Sequence, residues 1–418
     1  MHDPNWKLKI LVVNTYHFRG GGDSTYTFNL ADLLRSKGHE VAFFAMADKR
    51  NLPDSNSDLF VSSVDFRELN QRKNLLSSFQ VVSRAIYSRE ARHKFSQLLD
   101  LFQPDIIHLQ NIHAHITPSV IFEAKQRHLP LVWTLHDYKL ICPNSHFLID
   151  RTGEICEACG KGTYYQPVLK RCKKGSLLAS GMASLEAYAH RLMGVREKVD
   201  VFLPPSTFLR DKLLGRGFPP DRIHHLPLFL PENMFKNGVE NGGNGDYLLF
   251  LGKLDPLKGI RPLLEACRLV PEIKLILAGR VEHLFAEELT RILPPNAQYV
   301  GMKHGQELHQ LLCNALAVVV PSLYYENQPF SILEAFASGK PVIASDLGGM
   351  TELVANGERG LLVRPGDIET LADAMRWIVA HPVEAKQMGQ MGLRYALEQH
   401  TQDIHYQRLM SVYTRVLS

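Results

Sequence analysis

The sequence predicts an α/β protein built from two Rossmann-like, doubly wound domains. Three observations carry that prediction. Short apolar runs alternate with helical patterns along almost the whole chain, the order of strands joined by crossover helices. Several runs are apolar on both faces, as parallel strands covered by helices are. The stretch 237–246, NGVENGGNGD, holds four glycines without periodicity and divides the alternation into two halves. A chain of 418 residues, 45% of them hydrophobic, is also too long for one ordinary domain. The expected boundaries are 1–230 and 231–400, with a helix at 401–418 that packs back on the first domain.

In the first half the strands read as Lys9–Val13, Val41–Ala45, Asp105–Leu109, Leu131–Leu135 and Asp200–Leu203. The first ends in RGGGDSTYTFNLADLLRSKGHEV, Arg19–Val41, where Gly20, Gly21 and Gly22 lead into a helix. Anions commonly bind at such a start, although the pattern is not the GxGxxG fingerprint and a plain tight turn explains it equally. After the fourth strand come His136 and Asp137, in LVWTLHDYKLICP, Leu131–Pro143. A residue just past a strand's carboxyl end points to where ligands bind in such sheets. His108, His113 and His115 follow the third strand similarly, but their spacing alone does not support a metal site.

The second half reads as strands Tyr247–Leu251, Ile273–Ala278, Gln298–Val300, Ala317–Val320, Pro341–Ala344 and Gly360–Val363, and from Asp367 onward only helix. The first strand opens FLGKLDPLKG, Phe250–Gly259. There Gly252 lets backbone approach a ligand, and Lys253 and Lys258 supply the positive charge a diphosphate leaving group needs. Two surface lysines around a turn would look the same.

The strip YYENQPFSILEAFASGKPVIAS, Tyr324–Ser345, places Glu326 and Glu334 eight positions apart around Pro329. A helix starting near Pro329 and ending by Ser338–Gly339 puts Glu326 in the preceding loop and Glu334 one turn inside. The amides near Phe330, Ser331 and Ile332 then favour an anion. Carboxylates accept hydrogen bonds from hydroxyls, so an anion site flanked by two of them suits a ligand with both phosphate and diols. A nucleotide sugar is such a ligand, with Glu334 on the ribose and Glu326 on the sugar. Taken by spacing alone, capping or solvated charges are the commoner use of such a pair.

Composition narrows the remaining classes. A net charge of +4 with 22% charged residues argues against a dedicated nucleic-acid binder and against disorder. The cluster Lys170, Arg171, Lys173 and Lys174 reads as a solvated loop, with an anionic surface or substrate as the alternative. The apolar run near the start, Ile10–Val13, is far shorter than a signal h-region or a membrane span. The expectation is a cytoplasmic protein, with peripheral contact at the inner face of a membrane left open.

Taken together, these stretches resemble glycosyltransferase family 4, the retaining enzymes of GT-B architecture, over nearly the whole chain. GGGDSTYTFNLADLLRSKGHEV is similar to the family's glycine loop and helix, and FLGKLDPLKG to its phosphate loop. PSLYYENQPFSILEAFASGKPVIASDLGGMTELV is similar to its E-x7-E region with the following double glycine. The resemblance implies two domains facing across a cleft, with the acceptor on the first and a UDP- or GDP-sugar donor on the second. It implies that Lys253 and Lys258 bind the donor diphosphate and Glu334 the ribose. Glu326 and the stretch Asn327, Gln328, Pro329 and Phe330 would hold the transferred sugar, His136 would touch it, and Gly21, Gly22 and Gly252 would line the donor. Two positions depart from the family: Lys253 stands where arginine is common, losing a bidentate fork, and Asn327 where glycine is common. The implied chemistry is metal-independent transfer with retention to a hydroxyl of a glycan, lipid-linked or small acceptor, in cell-surface polysaccharide or glycoconjugate synthesis. The leaving diphosphate would help deprotonate the acceptor, and domain closure would exclude water.

An insert at about 140–190 carries Cys142, Cys156, Cys159 and Cys172, spaced C-x13-C-x2-C-x12-C. Four thiolates in a reducing compartment suit tetrahedral structural zinc, against the alternative of unligated thiols in a loop. Some family members have similar cysteines after the HDY segment. Cys267 and Cys313 fall on predicted helices and read as core. The rival functions are a nucleotide-sugar epimerase of the same architecture, which needs no acceptor, a zinc-containing binding module, and an inactive sugar-binding scaffold.

Overall fold

The computed structural model describes residues 7–63, 84, 86–113, 115–235 and 245–418. They form two compact units: residues 1–205, 210–226 and 406–418 make the first, and residues 206–209 and 227–405 the second. Most of the glycine-rich stretch 237–246 lies outside the described residues. Among those residues no helix is long and apolar enough to cross a membrane.

The first unit is built on β1 (Lys9–Val13), β2 (Glu40–Phe44), β3 (Ile106–Leu109), β4 (Leu131–Thr134) and β7 (Val201–Leu203), in the order β2-β1-β3-β4-β7. Every pairing is parallel, for example Val13 opposite Phe44 and Leu109 opposite Trp133. The order is flavodoxin-like and its direction reverses between β1 and β3. Between β4 and β7 sits the hairpin of β5 (Leu148–Ile149) and β6 (Glu154–Ile155), which the sequence reading did not find. Two-residue strands carry too little alternation to be seen.

The second unit orders β8 (Tyr247–Leu251), β9 (Lys274–Ala278), β10 (Ala297–Tyr299), β11 (Ala315–Val320), β12 (Val342–Ser345) and β13 (Gly360–Val363) as β10-β9-β8-β11-β12-β13. This all-parallel sheet has the Rossmann order, with its switch point between β8 and β11. The apolar runs explain it: β12 is buried throughout and β11 at five of six positions, so helices cover both faces. Each buried Leu, Ile, Val or Phe contributes about 1.5–3 kcal/mol against exposure.

Several expected bounds move. The third strand of the second unit runs Ala297–Tyr299, and β11 begins two residues earlier than its apolar run. Pro329 is the extended residue flanking the helix Phe330–Ala337 rather than part of its first turn. His108 does not follow a strand; it lies inside β3, fully buried.

His108 serves the core of the first unit. Its Nδ1 is 2.6 Å from the Tyr413 hydroxyl and its Nε2 is 2.8 Å from the Thr134 hydroxyl, so a polar network joins β3, β4 and the helix Gln402–Leu417. A buried polar group costs free energy when its partner is removed. Tyr413→Phe is therefore expected to destabilise the first unit by about 1–3 kcal/mol. Thermal unfolding should show a midpoint lowered by roughly 2–4 °C for each kcal/mol lost. An unchanged midpoint would show that the network contributes nothing.

Candidate functional site

In the second unit the loops after β8, β11 and β12 converge on Lys258 and Glu326. The segment after β8 turns at Asp255, whose carboxylate accepts from the Lys258 amide at 3.1 Å and caps the short helix Pro256–Lys258. Gly259 follows with φ of +75°, and a Cβ there would lie 1.9 Å from the Pro321 carbonyl oxygen. Only glycine allows that approach. The Leu323 amide then donates to the Leu257 carbonyl at 2.9 Å, fastening the loop after β11 to the loop after β8. The loop after β12 closes from the other side, with the Gly349 amide donating to the Glu326 carbonyl at 2.8 Å. A Cβ on Gly349 would stand 1.7 Å from the Asn327 oxygen, so the double glycine is a packing requirement.

The Lys258 ammonium pairs directly with the Glu326 carboxylate, which also accepts from the Ser322 hydroxyl at 2.7 Å. Its Nζ lies 5.4 Å from the centre of the Tyr324 ring. Burial works against the Lys258 charge, but Glu326 and Tyr324 outweigh it and hold its pKa well above the usual lysine value. Burial and then Glu326 push the Tyr324 phenol upward too.

Lys253 is placed differently. It is 41% exposed, and its ammonium is 2.6 Å from Glu282 and 3.1 Å from Asp255. Although desolvation opposes its charge, the hydrogen bonds to those carboxylates raise its pKa. Asp255 thus touches both lysines, one through the side chain and one through the backbone. Gly252 follows the strand directly, with its amide 3.0 Å from the Ala278 carbonyl.

Asn327 and Gln328 are buried and their side chains serve the fold. The Asn327 carbonyl oxygen accepts from the Ser206 hydroxyl at 2.5 Å, and that of Gln328 from the Leu228 amide at 2.6 Å. Pro329 gives the helix Phe330–Ala337 no side-chain cap. Glu334 lies inside that helix, where burial alone pushes its carboxyl up to about 7.

In the first unit, Gly21 caps the helix Gly22–Ser36 in an extended conformation, and the Ser24 hydroxyl takes the amides of Gly20 and Gly21 at 3.0 and 3.1 Å. Asp23 adds a carboxylate in the first turn. His136 sits past β4 with its Nε2 2.7 Å from the Gln110 side-chain oxygen and its ring edge-on to Tyr26. Burial lowers its pKa, while Asp23 and Asp137 act in the opposite direction. His113 reaches Asp137 at 3.8 Å, and Lys139 forms a half-buried pair with Glu186 at 2.8 Å.

The insert is tied together by backbone. The Cys156 amide donates to Phe147 at 2.7 Å and the Asp150 amide to Cys172 at 2.9 Å. No cysteine is in a disulfide, and Cys267 and Cys313 are buried as expected. Burial raises the Cys142 thiol, while backbone N–H groups of Phe147, Asn144, Ser145 and His146 act on it in the opposite sense. Burial, and then the other three thiols, push Cys159 up to about 12. The four sulfurs therefore feel one another. Even so, among the described residues no group of three or more His, Cys, Asp or Glu side chains is arranged to hold a metal ion.

The sequence reading missed Ser322, Tyr324, Asp255, Glu282 and Gln110. The first two lie in or beside the quoted strip, and Asp255 has the D-x-x-K spacing of a capped turn. Glu282 and Gln110 carry no local signal, since tertiary packing alone brings them to Lys253 and His136.

The Glu334 shift has a pH consequence. Below its ordinary pKa of 4.5 the carboxyl is protonated in both folded and unfolded chains. Between 4.5 and about 7 the folded chain keeps a proton that the unfolded chain has released. Stability accordingly falls as pH rises across that window, and the loss is complete above it. Glu334→Gln should remove this component. Denaturant unfolding of parent and variant, from about pH 4 to about pH 8, should show the variant gaining relative stability as pH rises. Parallel profiles would overturn the assignment.

Comparison with known proteins follows this geometry. The model for "Glycosyltransferase Family 4" matches residues 20–231, and that for "Glycosyl transferases group 1" matches residues 232–394. An uncharacterised glycosyltransferase of Methanocaldococcus jannaschii is 34% identical over 84% of this chain and 83% of its own. The alpha-maltose-1-phosphate synthase of Mycolicibacterium smegmatis is 28% identical over 53% of this chain and 64% of its own. Among solved structures, the sucrose-phosphate synthase of Thermosynechococcus elongatus has a TM-score of 0.69 at 18% identity, covering 98% of this chain and 99% of its own. Anabaena HepE with UDP-glucose has a TM-score of 0.66 at 16% identity, covering 97% and 100%. The chain belongs to glycosyltransferase family 4 and has the GT-B fold.

Proposed function

We propose that this glycosyltransferase moves a sugar, with retention, from a nucleotide-sugar donor to a hydroxyl acceptor in cell-surface polysaccharide or glycoconjugate synthesis. The observation that carries this reading is the Lys258–Glu326 pair at the carboxyl ends of β8 and β11, beside the uncapped start of the helix Phe330–Ala337. A GT-B structure with UDP-glucose bound, that of Anabaena HepE, supports a nucleotide-sugar donor. A relative named as an MMP alpha-(1->4)-mannosyltransferase supports sugar transfer.

In this reading Lys258 and Lys253 hold the diphosphate. Both already neutralise carboxylates, so an arriving diphosphate competes for their charge and releases Glu326 toward the sugar hydroxyls. The backbone from Asn327 to Phe330 supports the sugar, Glu334 takes the ribose hydroxyls, and His136 is the candidate substrate contact of the first unit. As the glycosidic bond to the donor breaks, negative charge grows on the leaving diphosphate. The two lysines and the helix amides stabilise that charge, so the proposed route needs no metal there. The leaving oxygen accepts the acceptor's proton as the new bond forms on the same face. An epimerase of the same fold would convert donor without acceptor, and product analysis with and without acceptor separates the two.

Glu326→Gln is expected to abolish transfer while the protein stays folded. Lys258→Ala should weaken UDP or GDP binding by roughly ten- to a hundredfold, the equivalent of ~1.5–3 kcal/mol for a charged hydrogen bond. Calorimetric titration of both nucleotides measures this, and unchanged affinity for each would overturn the diphosphate assignment.

We also propose that Cys142, Cys156, Cys159 and Cys172 take one structural zinc. The spacing C-x13-C-x2-C-x12-C and the backbone bonds that tie the insert together support this. The four sulfurs would have to draw together on the metal, since among the described residues no such group is arranged for one. Elemental analysis of untagged protein should find about one equivalent of zinc, lost in Cys156→Ser/Cys159→Ser, with UDP binding retained. Native protein with four titratable thiols and no zinc would rule the site out.

A further inference from the structure

The first unit holds a cavity of about 390 Å³ whose wall includes Arg191, Arg196, Arg216, Tyr164 and Cys159. At ~30 Å³ of liquid volume per water, that is room for a polyatomic ligand rather than a single solvent molecule. Its arginines are held by aromatic rings and carbonyls more than by carboxylates. Arg196 lies 3.8 Å over the Phe218 ring and Arg216 4.8 Å over the Phe147 ring. Arg196 donates to the Arg216 carbonyl at 3.4 Å and Arg191 to the Gly162 carbonyl at 3.3 Å. The Nε atoms of Arg196 and Arg216 are buried without a hydrogen-bond partner. Buried donors are nearly always satisfied, so two in one wall ask for an acceptor.

The local charge agrees. Glu157 approaches Arg216 only to 3.9 Å and is itself matched by Lys212 at 2.7 Å, and Glu197 acts on Arg196. Three arginines and Lys212 against Glu157 and Glu197 leave an excess of two positive charges while the cysteines are thiols. A zinc held by four thiolates would offset it, so the anion preference rests on the two unsatisfied Nε–H groups. A smaller cavity of about 30 Å³ shares Tyr164, Arg191 and Arg196, and reaches His113, Lys139 and Trp133. It brings the arginine wall up to the Asp137 segment that follows β4.

We propose that this arginine-lined cavity binds a diphosphate, separate from the donor site of the second unit. The helix Leu177–Leu192, which carries Arg191, suggests the owner of that diphosphate. Leu178, Leu185 and Leu192 stand seven residues apart on one helix face and are 69%, 52% and 88% exposed. The helix that supplies Arg191 to the cavity thus also exposes an apolar row along which an aliphatic chain joined to the diphosphate would lie, and the proposal commits to a lipid-linked acceptor as the owner. That choice of owner rests on the transferase reading; the anion site itself does not.

The test titrates full-length Lys258→Ala, whose donor site is weakened, with farnesyl diphosphate, inorganic pyrophosphate and farnesol, and without UDP, whose own diphosphate would fill the proposed cavity. Both diphosphates should bind, and Arg196→Gln and Arg191→Gln should each weaken them roughly tenfold or more. Arg191 is exposed, so its variant keeps the proposal testable should Arg196→Gln fail to fold. Farnesyl diphosphate binding at least tenfold tighter than pyrophosphate supports the lipid-linked owner. Equal affinities support the subsite but assign it to a free diphosphate. Absence of binding by either, or affinities untouched in both variants, overturns the site. A parent protein that binds neither UDP nor GDP would instead count against the transferase reading and leave this test as it stands.

Discussion

The site of the second unit depends on backbone packed directly against backbone. The loops after β8, β11 and β12 can meet only because glycines stand where any side chain would collide with a carbonyl, at Gly259 against Pro321 and at Gly349 against Asn327. With those contacts made, the cross-loop bonds from Leu323 to Leu257 and from Gly349 to Glu326 fix where Lys258 and Glu326 emerge. The ion pair is therefore a consequence of loop packing. It does not create the packing, and exposed pairs of the same composition would contribute little.

Electrostatically the same unit is held in opposition. Lys258 is half-buried but its desolvation is overcompensated by Glu326 and Tyr324, whereas Glu334 is half-buried with nothing to lower its pKa. One group stays firmly charged and the other is poised to release a proton near neutrality. Such perturbed groups at the carboxyl ends of parallel strands are what a binding site retains at a cost in stability. A ligand supplying anionic oxygens to Lys258 and hydroxyls to Glu334 would relieve both conditions.

The first unit spends its histidines differently. His108 is sealed into the core by Tyr413 and Thr134, and His136 is steered by Gln110 and Tyr26. Identical residue types on neighbouring strands thus have separate duties, decided by whether the side chain lies within the strand or past its end. Arg196 and Arg216 in the cavity wall show the same principle, because aromatic faces hold them in place while their Nε–H groups remain to be satisfied.

The sequence by itself determined the alternation of parallel strands and helices, the glycine-and-lysine loop after β8, and the pair Glu326 and Glu334 around a helix start. Each is a local pattern, written in apolar runs, glycines and proline within a few positions. Tertiary structure alone decided that Lys258 meets Glu326 across 68 positions, that Lys253 is occupied by Glu282, and that the side chains of Asn327 and Gln328 are spent on Ser206 and Leu228. It also decided that His108 is core. The reason is physical: periodicity reports which face of an element is buried, but a hydrogen bond or ion pair depends on where distant loops arrive, and that is fixed only when the sheets and their covering helices have packed.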